Sequence, residues 1–153
     1  MMNGLTRTLC TLTVAALALG GCGEPESEPE EELRAWVADG MEAARNKERG
    51  TLVDMISPSY ADARGNERGD VENLLRVYFF RMSHIKLLST IEEITVYDDT
   101  AAEIVMTIGM AGTHDGVLGF SADAYRFEFE LEKDSNEWQL IAARWGELGD
   151  ELQ

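Results

Sequence analysis

Cysteine is nearly absent from this chain. Cys10 and Cys22 are the only two, so no disulfide framework is available to the residues that follow them, and a domain there must be held by its apolar core. Histidine is limited to His84 and His114, thirty positions apart, which with so little cysteine leaves no closed zinc pattern. The acidic runs lack the alternating oxygen ligands of an EF-hand. The glycine-rich stretch from Gly109 to Gly119 lacks the Lys-Ser/Thr pair of a phosphate loop. No Ser/His/Asp nucleophile setting is present either, so no metal and no cofactor is expected. Basic residues are few, 13 against 29 acidic ones, for a formal charge of −16. A field of that sign opposes phosphate backbones and anionic head groups, which excludes nucleic-acid binding. The longest apolar run, Leu9 to Leu19, falls short of the roughly 20 residues that a bilayer crossing requires.

That run nevertheless has an evident use. A short segment carrying Arg7 precedes it, and Gly20, Gly21 and Cys22 close it, the layout of an export signal. Leu19-Gly20-Gly21-Cys22 resembles the bacterial lipobox, in which the cysteine becomes the acylated first residue of the mature chain. The resemblance implies a signal peptide over 1–21 and a lipid-anchored protein of the cell envelope. With Gly23 after Cys22, it points to the outer membrane facing the periplasm. Two or more acyl chains are needed for stable anchorage, since one binds only marginally. The alternative is plain cleavage that leaves Cys22 as a thiol. Loss of 1–21 removes Arg7 and no carboxylate, so the formal charge becomes −17. Residues 22–30, with Pro, Glu and Ser and nothing β-branched or aromatic, are expected to form an extended acidic tether.

The organising stretch of the folded part is Asp70 to Ser89. Val71, Leu74, Leu75, Tyr78, Phe79, Met82, Ile85 and Leu88 recur every three or four residues, and neither Pro nor Gly interrupts them. This spacing predicts one long helix, with Asp70 as N-cap. Before it, a helix from Glu31 to Glu48 is expected to close at Gly50, and a shorter one from Thr51 to end at Ser57-Pro58. A loop with a short strand near Tyr60–Ala63 follows. Beyond it, alternation predicts strands at 91–97, 101–108, 120–132 and 137–145, turns at Asp98-Asp99-Thr100 and Asp134-Ser135-Asn136, a glycine-rich connection over 109–119, and a frayed end from Gly146. Helices followed by a meander make an α+β domain over 31–149, with 150–153 as a loose end.

The order of elements, with ISPSYADARGN before the long helix and EWQLIAARWGEL in the last strand, resembles the nuclear transport factor 2-like superfamily, which includes SnoaL-type domains and ketosteroid isomerase. The resemblance implies a cone-shaped fold, N-terminal helices packed on a curved antiparallel sheet around a cavity open at one end. Dimers packed through the outer sheet face are common in that superfamily, and Val105, Ile141 and Ala143 would either contribute to such a face or belong to the core.

For chemistry in such a cavity, Tyr60, Asp62, Tyr78, Asp123 and Tyr125 are the candidates for an isomerase, and His84 with Asp62 or Asp123 for a dehydratase. His114-Asp115 falls in the glycine-rich connection. Tyr78, Tyr125, Arg126 and Arg144 are the candidate ligand-pocket residues; each arginine either meets a carboxylate or ligand at the cavity mouth or lies on the exposed face. The leading expectation is a non-catalytic envelope module for a small apolar ligand or an envelope protein. The alternatives are an isomerase or dehydratase using the cavity, and a homodimeric interaction protein using the sheet face.

Overall fold

The computed structural model describes residues 28–114 and 120–153. The signal segment, Cys22, the tether up to residue 27 and Asp115 lie outside the described residues.

Helix α1 runs over Pro29–Asn46, with Pro29 in its first turn and Glu30, Glu31 and Glu32 at the positive end of its dipole. Leu33, Val37 and Met41, four residues apart, form its buried stripe. It closes at Lys47, held in the left-handed conformation at φ 58°, and not at Gly50. Gly50 instead lies inside α2, Arg49–Asp54. Beyond α2 the chain runs beside the last strand: Leu140 donates its N–H to the Met55 carbonyl at 2.9 Å, and Ser57 donates to the Leu140 carbonyl at 3.0 Å. The strand expected near Tyr60–Ala63 is a single bridge between Ala61 and Glu67.

Helix α3 spans Arg68–Arg81, and its start is a reciprocal capping box. Glu67 is the N-cap, and the Asp70 carboxylate reaches back to the Glu67 N–H at 3.0 Å, which places Asp70 at the third helical position. The helix does not continue to Ser89. At Met82 the chain turns directly into β1, Met82–Tyr97, which pairs along its length with β2, Ala101–His114. Residues 82–88 fit both periods, since Ile85, Leu87 and Ile91 also alternate. The ladder with β2 satisfies every second backbone group and decides between them. Leu87, off the helical stripe, is buried, whereas Leu88, on it, is 79% exposed. The Lys47 ammonium donates to the carbonyls of Phe79 and Met82, capping α3 where the strand begins.

Strand β2 continues through Gly109–His114, so half of the expected glycine-rich connection is sheet. Strands β3, Phe120–Asp134, and β4, Glu137–Glu147, complete an antiparallel meander in the order β1-β2-β3-β4. Ser135 and Asn136, both left-handed, form the two-residue turn between β3 and β4. The register shifts at three places, between Met82 and His84 at the start of β1 and at two bulges further into the sheet. Glu92 is the extra residue where Ile91 opposes Met106 and Glu93 opposes Val105; Ile141 is the extra one where Leu131 opposes Leu140 and Glu130 opposes Ala142. The second bulge reverses the alternation of β4. Ala143 therefore joins the concave, buried side and Ala142 the convex side.

The concave face packs on α1: Leu33, Val37 and Met41 meet Leu87, Ala102, Ile104, Met106, Leu131 and Trp138. Glu32 fixes the start of α1 to the β3–β4 hairpin, accepting from Lys133 Nζ at 2.6 Å and Trp138 Nε1 at 2.9 Å. The chain after β4 folds back, and Trp145 and Gln153 exchange both backbone hydrogen bonds. Gly146 permits that approach, since a Cβ there would stand 2.9 Å from the Glu151 carbonyl oxygen.

Candidate functional site

Between α1, α2, α3 and the concave sheet lies a cavity of about 490 Å³. Met106, Ile108, Met110, Phe127 and Phe129 form its floor; Trp36, Met55, Val71, Leu75, Tyr78 and Phe79 are among its walls. Among the described residues, no charged side chain lines it. The cavity exists because α3 buries none of its residues: Val71 packs on the cluster of Ile56, Tyr60, Leu140 and Ala143, and the rest of the stripe borders open space. The floor is packed through its rings. Phe127 packs between Phe129 at 5.3 Å and Trp145 at 6.4 Å, and Trp36 meets the Phe129 ring edge-on at 6.3 Å.

A second cavity, about 500 Å³ and polar, adjoins the first and shares Met110, Phe127 and Trp145 with it. Arg64, Tyr125, Glu147, Asp150 and Glu151 line it. The Arg64 guanidinium lies 4.3 Å from the Trp145 ring centroid and donates to the Trp145 carbonyl at 3.1 Å. Arg64 and Trp145 were not foreseen as a pair, being 81 residues apart with no shared motif.

Two of the expected site residues border the cavities near their junction, and a third stands close enough to act on both through its charge. Tyr78 lines the apolar cavity and donates to Met110 Sδ at 3.8 Å; Tyr125 lines the polar one; Asp123 stands opposite Met110 in the sheet register. Burial, then the charge of Asp123, then Tyr125 raise the Tyr78 pKa. Burial, Asp123 and Glu147 do the same for Tyr125. Both phenols therefore stay protonated at neutral pH and can donate to a polar group on a ligand, while Asp123 supplies a carboxylate.

The other candidates are elsewhere. His84 is exposed on β1 and lines neither cavity, so it does not meet Asp62 or Asp123 around a cavity. Asp62 is buried and organises its loop, accepting from the N–H groups of Arg64 and Asn66 at 2.9 and 2.8 Å, from Asn66 Nδ2 at 2.8 Å and from the Tyr60 hydroxyl at 3.3 Å. Burial opposes its charge, but these hydrogen bonds outweigh burial and lower its pKa. Burial and the facing Asp62 carboxylate raise the pKa of Tyr60. Arg126 and Arg144 stand on the convex face. Arg126 pairs with Glu92 at 3.2 Å and Glu128 at 3.6 Å, and Arg144 with Glu128 at 2.8 Å. The convex face thus carries a ladder of ion pairs; Val105 is buried beneath it and Ala143 is on the concave side. His114 belongs to β2. Among the described residues, no group of three or more His, Cys, Asp or Glu is placed to hold a metal ion, and no helix is long and apolar enough to cross a membrane.

Solved structures share this architecture. A conserved protein from Planctomyces limnophilus superposes with a TM-score of 0.68 at 17% identity, over 74% of this chain and 91% of that one. A ketosteroid isomerase-like protein from Erwinia carotovora atroseptica gives 0.68 at 12% identity, over 81% and 99%. The fold is nuclear transport factor 2-like. A candidate dehydratase of the nuclear transport factor 2-like family from Streptomyces avermitilis agrees, at 0.66 and 12% identity over 80% and 97%. No protein-family model matches the sequence, and no curated protein matches it. At these identities the nuclear transport factor 2-like likeness carries the fold and leaves the activity to be argued from the site.

Proposed function

We propose that this chain is an envelope lipoprotein, held by acylated Cys22, whose nuclear transport factor 2-like cone takes up a small, largely apolar ligand. The observation that carries the reading is the cavity of about 490 Å³ that, among the described residues, no charged side chain lines. Its volume falls within the roughly 300–1,000 Å³ typical of small-molecule sites, and an apolar lining with a few polar groups at one end is their usual composition. An apolar molecule that fills it gains the contacts that α3 now lacks.

The test is the composition of the protein isolated from its native membranes. Val71→Trp places an indole in the cavity from a half-exposed helix position. Mass spectrometry of organic extracts should find a small apolar molecule enriched with the parent chain and depleted at least about tenfold with the variant, as expected when a filled pocket loses its contacts. Equal extracts from both chains would sink the ligand reading. The mass of the N-terminal peptide tests acylation at Cys22 separately.

A second reading, an isomerase or dehydratase, draws support from the charge of Asp123 acting on Tyr78 and Tyr125 beside the cavities. A carboxylate there can accept a proton while a phenol donates to a developing oxyanion. In that case the recovered ligand is converted by the parent chain and left unchanged by Asp123→Asn.

A further inference from the structure

From Asn73 to Ile91 this acidic chain contains no Asp or Glu, and Arg76, Arg81 and Lys86 fall within that stretch. It covers the last turns of α3 and the first half of β1. Helix α3 is apolar on two sides. Val71, Leu75, Tyr78 and Phe79 line the cavity. On the other side Leu74 and Val77 are exposed, and Phe80 is 90% exposed. At about 100° per residue, Arg76, Phe80, Val77, Arg81 and Leu74 occupy one arc of roughly 160°. Asn73 shares that arc and accepts from Arg76 at 2.7 Å. Leu74 belongs to both surfaces, so the outer face adjoins the cavity wall.

We infer that this outer face of α3 docks on an anionic phospholipid bilayer. Exposed aromatic and aliphatic side chains flanked by arginines are the composition of an interfacial helix, whose apolar groups enter the head-group boundary while its cations meet lipid phosphate. The negative charge of the whole chain does not prevent this, because screening at physiological ionic strength acts beyond about 8 Å and leaves the local patch dominant. A second copy of the chain is the poorer occupant: it would bring Arg76 and Arg81 of both copies into one interface, and Asp70, the carboxylate that shares the arc, is already engaged in capping α3.

The place of the anchor makes the inference discriminating. It rests on the lipoprotein reading only for bringing the chain to a membrane. The start of α1 is bonded through Glu32 to the β3–β4 hairpin, whereas its far end, at Lys47, is bonded to the end of α3. These ends are about 27 Å apart for an 18-residue helix, and the chain from Cys22 to Pro29 spans at most about 25 Å. A domain that merely hangs from its anchor presents the β3–β4 turn and Glu28, Glu30 and Glu31 to the bilayer. A docked domain lies over and presents α3 instead.

The full acylated chain in nanodiscs distinguishes the two. An environment-sensitive fluorophore is attached through Val77→Cys or, at the first residue of β4 beside the β3–β4 turn, Glu137→Cys, and quenching by lipid-borne nitroxides is measured. In phosphatidylethanolamine with phosphatidylglycerol, quenching at position 77 should exceed that at 137 by about threefold or more, and Arg76→Glu with Arg81→Glu should abolish the excess. Stronger or equal quenching at 137, or indifference to charge reversal, overturns the inference. So does mutual quenching of labelled chains without lipid, which would give the face to a protein partner. An unmodified Cys22 peptide would mark failure of the anchor, and charge-dependent binding of the same chain to added vesicles would still decide the docking.

Discussion

Helices α1 and α3 both carry an apolar stripe, yet they do opposite things with it. In α1 the stripe is consumed: Leu33, Val37 and Met41 are buried against the sheet. In α3 no residue is buried, and its apolar side chains border the cavity or face solvent. One helix is a structural wall and the other the wall of a container. Hydrophobicity alone does not separate them; what separates them is whether the opposing surface comes within contact distance.

Substitution should separate them by a wide margin. Leu33→Ala removes a side chain with no solvent exposure and should cost about 2–5 kcal/mol in denaturant unfolding, the range for a cavity opened in a packed core. Leu75→Ala, the same chemical change in α3, should cost less than about 1 kcal/mol, because most of its partners are already missing. Equal losses would mean that α3 packs as tightly as α1 and that the container does not exist.

A smaller effect concerns the loop that joins the two helical regions. Asp62 holds it with four hydrogen bonds, and Asp62→Asn should cost about 1–3 kcal/mol, since the neutral amide leaves the Asn66 side chain poorly paired. The pH dependence follows from the lowered folded-state pKa. The contribution is complete above the ordinary carboxylate pKa of about 3.9 and is lost as pH falls through the lower folded value. The stability of the parent chain should therefore fall, as pH drops below about 4, by more than that of the asparagine variant. Parallel pH profiles would contradict the role of the carboxylate.

Local patterns served well where only one period fitted. The Tyr125-Phe127-Phe129-Leu131 alternation, the Asp134-Ser135-Asn136 turn and the Leu33-Val37-Met41 stripe are present as the residues imply. The end of α3 was illegible because residues 82–88 satisfy both periods, and only pairing with β2, set by long-range contacts, selects the strand. The bulge at Ile141 was likewise hidden, since an extra residue leaves no composition mark while inverting every side chain after it. Of the site, the spacing yields the α3 stripe and the resemblance a cavity beneath it, while Tyr78, Tyr125 and Asp123 stand among five isomerase candidates with no arrangement assigned. Arg126 and Arg144 went to the convex face because the parity of β3 and the inversion of β4 both send them there. Emptiness has no sequence signature, because the same side chains line a void or fill one.

The smallest effect is the sharpest probe of that emptiness. Gly40 lies in the middle of α1, and a Cβ built there would stand 3.2 Å from Met55 Cε. Replacement by alanine gains about 1 kcal/mol of helix propensity but requires the Met55 methyl to move by a few tenths of an ångström. In a filled core that displacement would offset the gain. Here both residues line the cavity, and the flexible thioether end has unfilled space to enter. Gly40→Ala should therefore stabilise the protein by roughly 0.5–1 kcal/mol in thermal or denaturant unfolding. A loss of stability would show that the space beside Met55 is already taken, by side chains or by a bound molecule, and the same measurement after organic extraction would tell which. Recovery of the gain on extraction would identify a resident ligand through a single methyl group.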